Sequence, residues 1–575
     1  MVNQQYRTKD VTYDELREEF EASYQFPFGK KMLLSGYVKK YAEDVNRVAV
    51  NFYGRKVTYK ELDESSDRLA TALADLGYKK GDHIAFFLQN GPQAYIGYLA
   101  AEKLGLVRTT VDPMHKEREL AYQLKDSETT LIMVQDQIYP VVKNVRDECK
   151  IKHVIVTSFH DYLPDKPEIP LHPMMKAEKQ TFTDTYEFLD LIKQYEPSPP
   201  KVDVELSDFG WLLYTGGTTG LPKGCIHTNY NAVASAVGGG YIYGGIINPF
   251  TDIEVGAKII AAFPVTHISG IITFCTCLVW GRQAIMLARM DPLQILEAVD
   301  RYKPTILIAP VLIYHAIMQS YPALSKIKKY DLSSLKLCSC SSHGGPWTKE
   351  HAKRWYDLTG LYLYSWGYAG TEFFNYPAGG ICLNRLEEMA YGKPGPGFRV
   401  RIKDLHTHED VPVGERGEIV AKTVTLFKGY WKNPKKTEER LVNGWFHTGD
   451  IGALGQDGTL YFYGRATDAF PVSGYQVSPD EVVAIGLNHP DIVELSVIPI
   501  PNPDRPGDNV PKAFVVLRPG SKVTEAELLQ WFKDNIARYK CPREIEIVES
   551  LPKSVKGEIL RRELIKRERE RRERH

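Results

Sequence analysis

Trp211-Leu212-Leu213-Tyr214-Thr215-Gly216-Gly217-Thr218-Thr219-Gly220-Leu221-Pro222-Lys223-Gly224 is the stretch on which the reading of this chain turns. The apolar run Trp211 to Tyr214 reads as a buried strand, and it ends abruptly in Gly and Thr. Glycines at 216, 217 and 220 let the backbone turn where a Cβ would clash. They also let successive N–H groups converge into a concavity suited to anions. Thr215, Thr218 and Thr219 add hydroxyl donors, and Lys223 adds a mobile positive charge. Strand, glycines, hydroxyls and lysine together describe a polyphosphate cradle. The alternative is a flexible Gly/Thr surface turn. It is not a Walker loop, because G-x-x-x-x-G-K-[ST] does not occur here.

Working outward, strands alternate with helices on both sides of this loop. Val48 to Phe52 runs into a hairpin-like turn at Tyr53–Lys56, and Thr58 with Glu61 has the capping-box spacing of a helix start. Short strands follow at 83–88, 107–111, 131–134 and 154–156, separated by helices 93–104 and 116–125. The Pro-, Asp- and Lys-rich segment 158–205 reads as an irregular surface excursion. Beyond the loop come a helix from Asn229, a strand 259–264 that delivers His267, strands at 305–308, 335–340 and 361–364, and helices 292–302, 311–321 and 348–359. This spacing predicts an α/β unit with mostly parallel sheets. From Gly392, closely spaced turns and short alternating segments predict a smaller β-rich unit, closed by 445–450 and 460–465. The last hundred or so residues predict a compact α+β unit with helices 478–487 and 524–537 and strands 493–499 and 513–517. Glu563 to His575 is almost wholly charged with alternating signs and reads as a solvated helix or frayed tail.

At 575 residues the chain is too long for one core. Lys plus Arg and Asp plus Glu both number 72, so no net field recruits nucleic acid or an anionic membrane. Eight cysteines occur without a C-x-x-C, which removes zinc-ribbon and thioredoxin readings. The pairs Cys275/Cys277 and Cys338/Cys340, if on strands, put both thiols on one face, as inert buried groups in a reducing compartment. Met1 to Asp10 is polar, and the most apolar stretch, Ile259 to Trp280, is broken by Pro264, His267 and Gly270. The expectation is a cytoplasmic protein with no integral membrane segment. An oligomer is allowed.

Five blocks stand in one order: Tyr214 to Gly224, Phe263-Pro264-Val265-Thr266-His267, Tyr368-Ala369-Gly370-Thr371-Glu372, Gly444-Trp445-Phe446-His447-Thr448-Gly449-Asp450, and Tyr463-Gly464-Arg465. From about residue 50 to about 565 the chain resembles the AMP-forming adenylating superfamily of acyl-CoA synthetases, luciferases and peptide-synthetase adenylation domains. The resemblance implies a large domain 1–464 that binds ATP and an acid, a hinge 465–469, and a mobile C-terminal domain 470–575. It implies that ATP, Mg²⁺ and coenzyme A are used. Thr215, Gly216, Gly217, Thr218, Thr219, Gly220 and Lys223 would hold the β- and γ-phosphates. Glu372 would bind Mg²⁺, a hard cation that prefers oxygen ligands, and Thr371 would contact the α-phosphate. Tyr368, between Gly367, Ala369 and Gly370, would stack on adenine, with Gly344 and Gly345 allowing close backbone approach. Asp450 would accept from both ribose hydroxyls, and Arg465 would donate nearby. His267 would stand beside the acyl carboxylate.

The implied reaction activates a carboxylic acid as acyl-AMP and transfers it to a thiol, with the C-terminal domain rotating between steps. Two departures stand out. In Leu551-Pro552-Lys553-Ser554-Val555-Lys556-Gly557-Glu558-Ile559-Leu560-Arg561-Arg562, Glu558 replaces the family's catalytic Lys. Loss of such a charge would cost on the order of 10²–10³ in rate; Lys556 is the candidate replacement. Pro471 also stands where many members carry a second Lys used in thioester formation. Small residues at Gly239, Gly240 and Ala369 imply an open acyl pocket beside His267, hence a medium or longer acyl group or an aryl acid. No carrier or condensation domain follows residue 575, which speaks against a peptide-synthetase module. The other class is a relative that binds nucleotide or acyl-adenylate with weak or no turnover, for which Glu558 is the support. A luciferase-like oxygenase has no distinguishing residue here.

Overall fold

Two seven-stranded sheets organise the first 374 residues. The computed structural model describes residues 10–215, 222–245, 257–320, 330–341, 349–365, 367–374, 390–472, 475–503, 509–554 and 558–573. One sheet runs in the order Tyr186–Glu187, His153–Thr157, Leu131–Gln135, His83–Phe87, Val107–Thr110, Phe209–Tyr214, Gly224–Thr228. The other runs Leu363–Ser365, Leu337–Ser341, Ile306–Pro310, Lys258–Ala261, Gln283–Met286, Val48–Phe52, Arg55–Thr58. In each sheet every pairing is parallel except the last, which is an antiparallel hairpin. Helices on the faces bury the strands on both sides, so Leu131–Gln135 and Ile306–Pro310 are apolar nearly throughout. An antiparallel sheet over 398–465 follows. A C-terminal unit then packs Ile492–Pro501, Asn509–Leu517 and Glu544–Ile547 against helices Pro479–Gly486, Glu525–Asn535 and Arg561–Glu573.

The strand that ends in the Gly/Thr loop is fixed by a buried cation. Arg108, 1% exposed, donates through Nε to Gly210 C=O at 2.9 Å and through Nη2 to Asn229 Oδ1, and lies 4.2 Å from the Trp211 ring. Glu102, also buried, stands 3.4 Å away and accepts from Ser35 N–H at 2.7 Å. Gly210 is required here: a Cβ would fall 2.1 Å from Asn229 Oδ1.

Four expectations change. Cys275 and Cys277 lie on helix Ile268–Val279, not on a strand, where residues two apart point in different directions. Both are still buried, because that helix is enclosed on every side. Thr58 does cap its helix, accepting from Glu61 N–H at 3.1 Å, but Glu61's carboxylate pairs with Arg55 in the neighbouring hairpin strand. Segment 158–205 contains helix Phe188–Gln194, held by buried Phe188 and Leu191. The charged tail is neither frayed nor simply solvated. Leu564 and Glu568 are buried, and Glu568 accepts from Lys512 Nζ at 2.8 Å. Lys512 is 1% exposed and also reaches Glu546 at 2.6 Å. A buried ammonium is tolerated only when paired, so the helix docks by closing that pair.

Hydrogen bonds from Arg571, Lys512 and Arg572 outweigh burial and hold the Glu568 carboxyl near about 2. Glu568→Gln is therefore predicted to lower the stability of the C-terminal unit by about 3 kcal/mol at neutral pH, measured by chemical denaturation. The depressed value means the wild-type advantage is full above the ordinary pKa of 4.5 and fades as pH falls toward about 2.

Candidate active site

The loop's stems are set by an antiparallel hairpin in which Tyr214 stands opposite Gly224. Thr215 N–H donates to Lys223 C=O at 3.0 Å, closing the ladder at the loop's base. Residues 216–221 lie outside the described residues, and with them Gly216, Gly217, Thr218, Thr219 and Gly220. Around the stems, Tyr122 donates to Pro222 C=O at 2.9 Å and Tyr214 donates to Asp126 Oδ2 at 2.5 Å. Burial and the neighbouring Asp126 push the Tyr214 hydroxyl up, so it stays a donor. Lys223 Nζ sits 5.6 Å from the centre of the Tyr430 ring. Tyr430 in turn donates to Glu372 Oε1 at 3.0 Å. The second Glu372 oxygen has no hydrogen-bond partner among the described residues. One carboxylate with a free oxygen suits Mg²⁺, which is held by one or two carboxylates plus substrate phosphates.

Thr371 precedes Glu372 and is aimed by a histidine. His227 Nε2 lies 2.9 Å from Thr371 C=O. Burial lowers the His227 imidazole to about 4, so the ring is neutral and its Nε2–H donates. Thr215, Thr371 and His267 line one cleft of about 1680 Å³, its open mouth included. The cleft opens at the carboxyl ends of strands from both seven-stranded sheets, where α/β proteins place their ligands. Its far wall comes from the C-terminal unit and includes Glu558, Arg561 and Arg562, with Asp468 between. Ser554 N–H donates to Glu558 C=O at 2.7 Å, which holds Glu558 in place. Lys556 lies outside the described residues, as do Gly344 and Gly345.

A second cluster lies beside Glu372. Tyr368 donates to Asp450 Oδ2 at 2.6 Å, and Arg465 Nε stands 3.7 Å from Asp450 Oδ1. Asp450 and Arg465 are register partners on antiparallel strands, which is why two residues 15 apart in sequence meet. Burial raises the Asp450 carboxyl to about 6, against the pull of Tyr368 and Arg465. Gly367 takes φ +99°, a conformation other residues rarely adopt, and turns the chain into Tyr368. Ala369 and Gly370 are half-buried beside it.

His267 borders a second, apolar chamber of about 810 Å³ with its mouth, walled by Leu88, Met114, Met174, Phe263 and Met290 among others. His267 caps helix Ile268–Val279 with Nδ1 accepting from Ser269 N–H at 3.2 Å, which leaves the proton on Nε2. The two glycines expected at the acyl pocket differ. Gly239 has open space where a Cβ would be. Gly240 is closed by Trp280, whose Nε1 would lie 1.9 Å from a Cβ there. Trp280 Nε1 is held by Ala236 C=O at 2.9 Å. Gly240 thus admits an indole of this chain rather than a ligand.

Three contributors escaped sequence reasoning: His227, Tyr430 and Arg562. His227 is the one basic side chain in the hairpin strand Gly224–Thr228, which was the available signal. Tyr430 carries no local signal, since its partner Glu372 lies 58 residues away in the chain, and Arg562 carries none that separates it from its neighbour Arg561.

A profile of the AMP-binding enzyme family matches residues 38–431, and one of the AMP-binding enzyme C-terminal domain matches 481–558. The chain belongs to the AMP-binding enzyme family. It is 31% identical over 558 residues to a long-chain-fatty-acid–CoA ligase of Bacillus subtilis (95% of this chain, 96% of that one). It is 30% identical over 525 residues to a long-chain-fatty-acid–CoA ligase of Escherichia coli (89% and 90%). The fold matches that of ATP-bound MatB from Rhodopseudomonas palustris with a TM-score of 0.78, at 23% identity, over 93% of this chain and 98% of that one. This AMP-binding enzyme is an acid–thiol ligase of the adenylate-forming acyl-CoA synthetase kind, using ATP, Mg²⁺ and coenzyme A. Among the described residues, no helix is long and apolar enough to cross a membrane.

The raised Asp450 carboxyl makes a pH prediction. Below about 6 the group is protonated and one acceptor becomes a donor. ATP affinity of this AMP-binding enzyme, measured by calorimetry, is expected to weaken as pH falls through that value. Asp450→Asn should weaken binding at pH 8 and flatten the dependence.

Proposed function

We propose that this enzyme activates a medium- or long-chain fatty acid and transfers it to coenzyme A. The observation that carries the reading is the apolar chamber that meets the Thr215–Thr371 cleft at His267. Leucine, methionine and phenylalanine walls suit an aliphatic chain, and methionine adapts to varied lengths. The curated relatives named as long-chain-fatty-acid–CoA ligases support the same choice over an aryl acid.

In this reading the loop from Thr215 to Lys223 holds the β- and γ-phosphates. Glu372 holds Mg²⁺, which neutralises phosphate charge when bound. Thr371 hydrogen-bonds the α-phosphate, and Gly344 and Gly345 lie against the adenine on which Tyr368 stacks. Asp450 and Arg465 hold the ribose. His267 Nε2–H orients the acid. A carboxylate oxygen bonds to the α-phosphorus as the α–β bridging oxygen leaves with pyrophosphate. The coenzyme A sulfur, its proton lost to solvent, then bonds to the acyl carbon, and AMP departs. Little covalent chemistry is asked of the protein, so positioning and charge carry the rate.

Residues 465–469 act as the hinge between domains 1–464 and 470–575. Asp468, paired with Arg561 at 3.3 Å, and Glu481, paired across to Arg416 at 2.6 Å, support a joint there that ion pairs hold in one position. Among the described residues seven cysteines are free and buried, which favours a reducing compartment, the cytoplasm. One observation favours a second reading, weak or absent adenylation: Glu558 lines the cleft, where a carboxylate repels phosphate. Lys556 then matters. Lys556→Ala is expected to slow pyrophosphate release about tenfold or more if it replaces the missing ammonium; unchanged release removes it from the mechanism.

The deciding experiment measures AMP release with ATP and coenzyme A across acids. Octanoate through palmitate are expected to exceed benzoate and malonate at least tenfold. Turnover confined to aryl acids would overturn the substrate class, and no AMP from any acid would favour the second reading.

A further inference from the structure

We propose that Arg562 is the cation with which the C-terminal wall of the cleft meets the nucleotide's phosphates, an inference that rests on the acid-activating reading above. The wall's charges lead to it. Asp112 and Glu558 line this cleft with no ion pair among the described residues, so two uncompensated carboxylates face the space in which a polyphosphate must lie, while Asp468, also in the lining, is paired. Opposing cations are needed to hold it there. Lys223 is committed to the far side, over the Tyr430 ring. Arg561 lines the cleft too, but its guanidinium is spent on Asp468 at 3.3 Å and on Asp480. Arg562 lines the same cleft, is exposed, and has no ion pair or hydrogen bond among the described residues.

The placement of Arg562 is not accidental. Its backbone is anchored on both sides. Leu560 N–H donates to Pro552 C=O at 2.8 Å, and Ile559 pairs with Lys553 in an isolated bridge. Two residues on, Leu564 is buried in a cluster with Ile498, Ile500, Val510 and Phe514. A fixed Cα and an unengaged side chain are what a phosphate-binding arginine requires. The guanidinium fork can span two phosphate oxygens, which a carboxylate at Glu558 cannot do. Arg562 thus offsets Glu558 across one turn of chain, and the wall keeps a cation although the expected lysine is absent.

The test compares ATP and AMP. For Arg562→Ala, calorimetry is expected to show ATP affinity lowered about tenfold and AMP affinity unchanged within about twofold, since a charge-assisted contact to the outer phosphates is lost. Pyrophosphate release with octanoate should fall about 10²-fold, while coenzyme A capture of supplied octanoyl-AMP stays within about threefold. Arg562→Lys should recover most of the loss, and Glu558→Lys in the Arg562→Ala background should recover it as well. Arg567→Ala, exposed on the same helix, should change nothing. Equal loss of ATP and AMP affinity, or undiminished ATP affinity, overturns the proposal. If the wild-type enzyme forms no acyl-AMP from any acid, the acid-activating reading fails by itself. The ATP-against-AMP comparison still decides Arg562.

Discussion

A guanidinium cut off from water sets the position of the strand that leads into the Gly/Thr loop. Arg108 can be buried only because Gly210, Asn229, Glu102 and the Trp211 ring surround it. Removing Glu102 would leave the buried guanidinium without its counter-ion, a loss of about 3–5 kcal/mol for ion pairs of this kind. Those partners come from strand Phe209–Tyr214, from the start of the helix at Asn229, and from helix Pro92–Leu104. The arginine therefore locks the strand before the loop to the helix after it. Thr215 and Lys223 inherit their spacing from that lock.

From there the site is assembled by a chain of donors. Tyr430 steers Glu372, His227 steers Thr371, and Tyr368 steers Asp450. In each case the donor is buried and titrates far from neutral, so it keeps one protonation state over the working range. The titratable exception is Asp450 at about 6, because its burial is opposed only in part. The C-terminal unit completes the cleft with Glu558, Arg561 and Arg562 and is held across the joint by Arg416–Glu481 and Arg561–Asp468. The same contacts that complete the wall therefore bias the position of the unit that carries it.

Charge patterns were the least legible part of the chain. Arg561 to Glu573 has almost no apolar face, yet it docks because Lys512, on a central strand, needs Glu568. No local pattern encodes that need, since the two residues are 56 apart. Cys275 and Cys277 illustrate the complementary failure. A helix buried on every side needs no polar face and so leaves no clear period in its sequence, and a buried helix and a buried strand then look alike. Gly240 read as open space because a glycine's neighbours cannot be seen in sequence, and Trp280 fills the space.

Local chemistry was nevertheless decisive for much of the protein. The alternation of strands and helices, the Gly/Thr loop after a buried strand, the β-rich unit and the ordered motif blocks all follow from residues adjacent in the chain. Their physics is local: turn geometry, capping, and burial at a fixed period. Tertiary structure alone decided which charges are already spent. Arg561 and Arg562 are neighbours of the same type, and sequence cannot separate them. One is taken by Asp468 and Asp480, and the other faces the cleft. The difference lies in carboxylates about 80 to 90 residues away, brought near by folding, and charge pairing depends on distance in space.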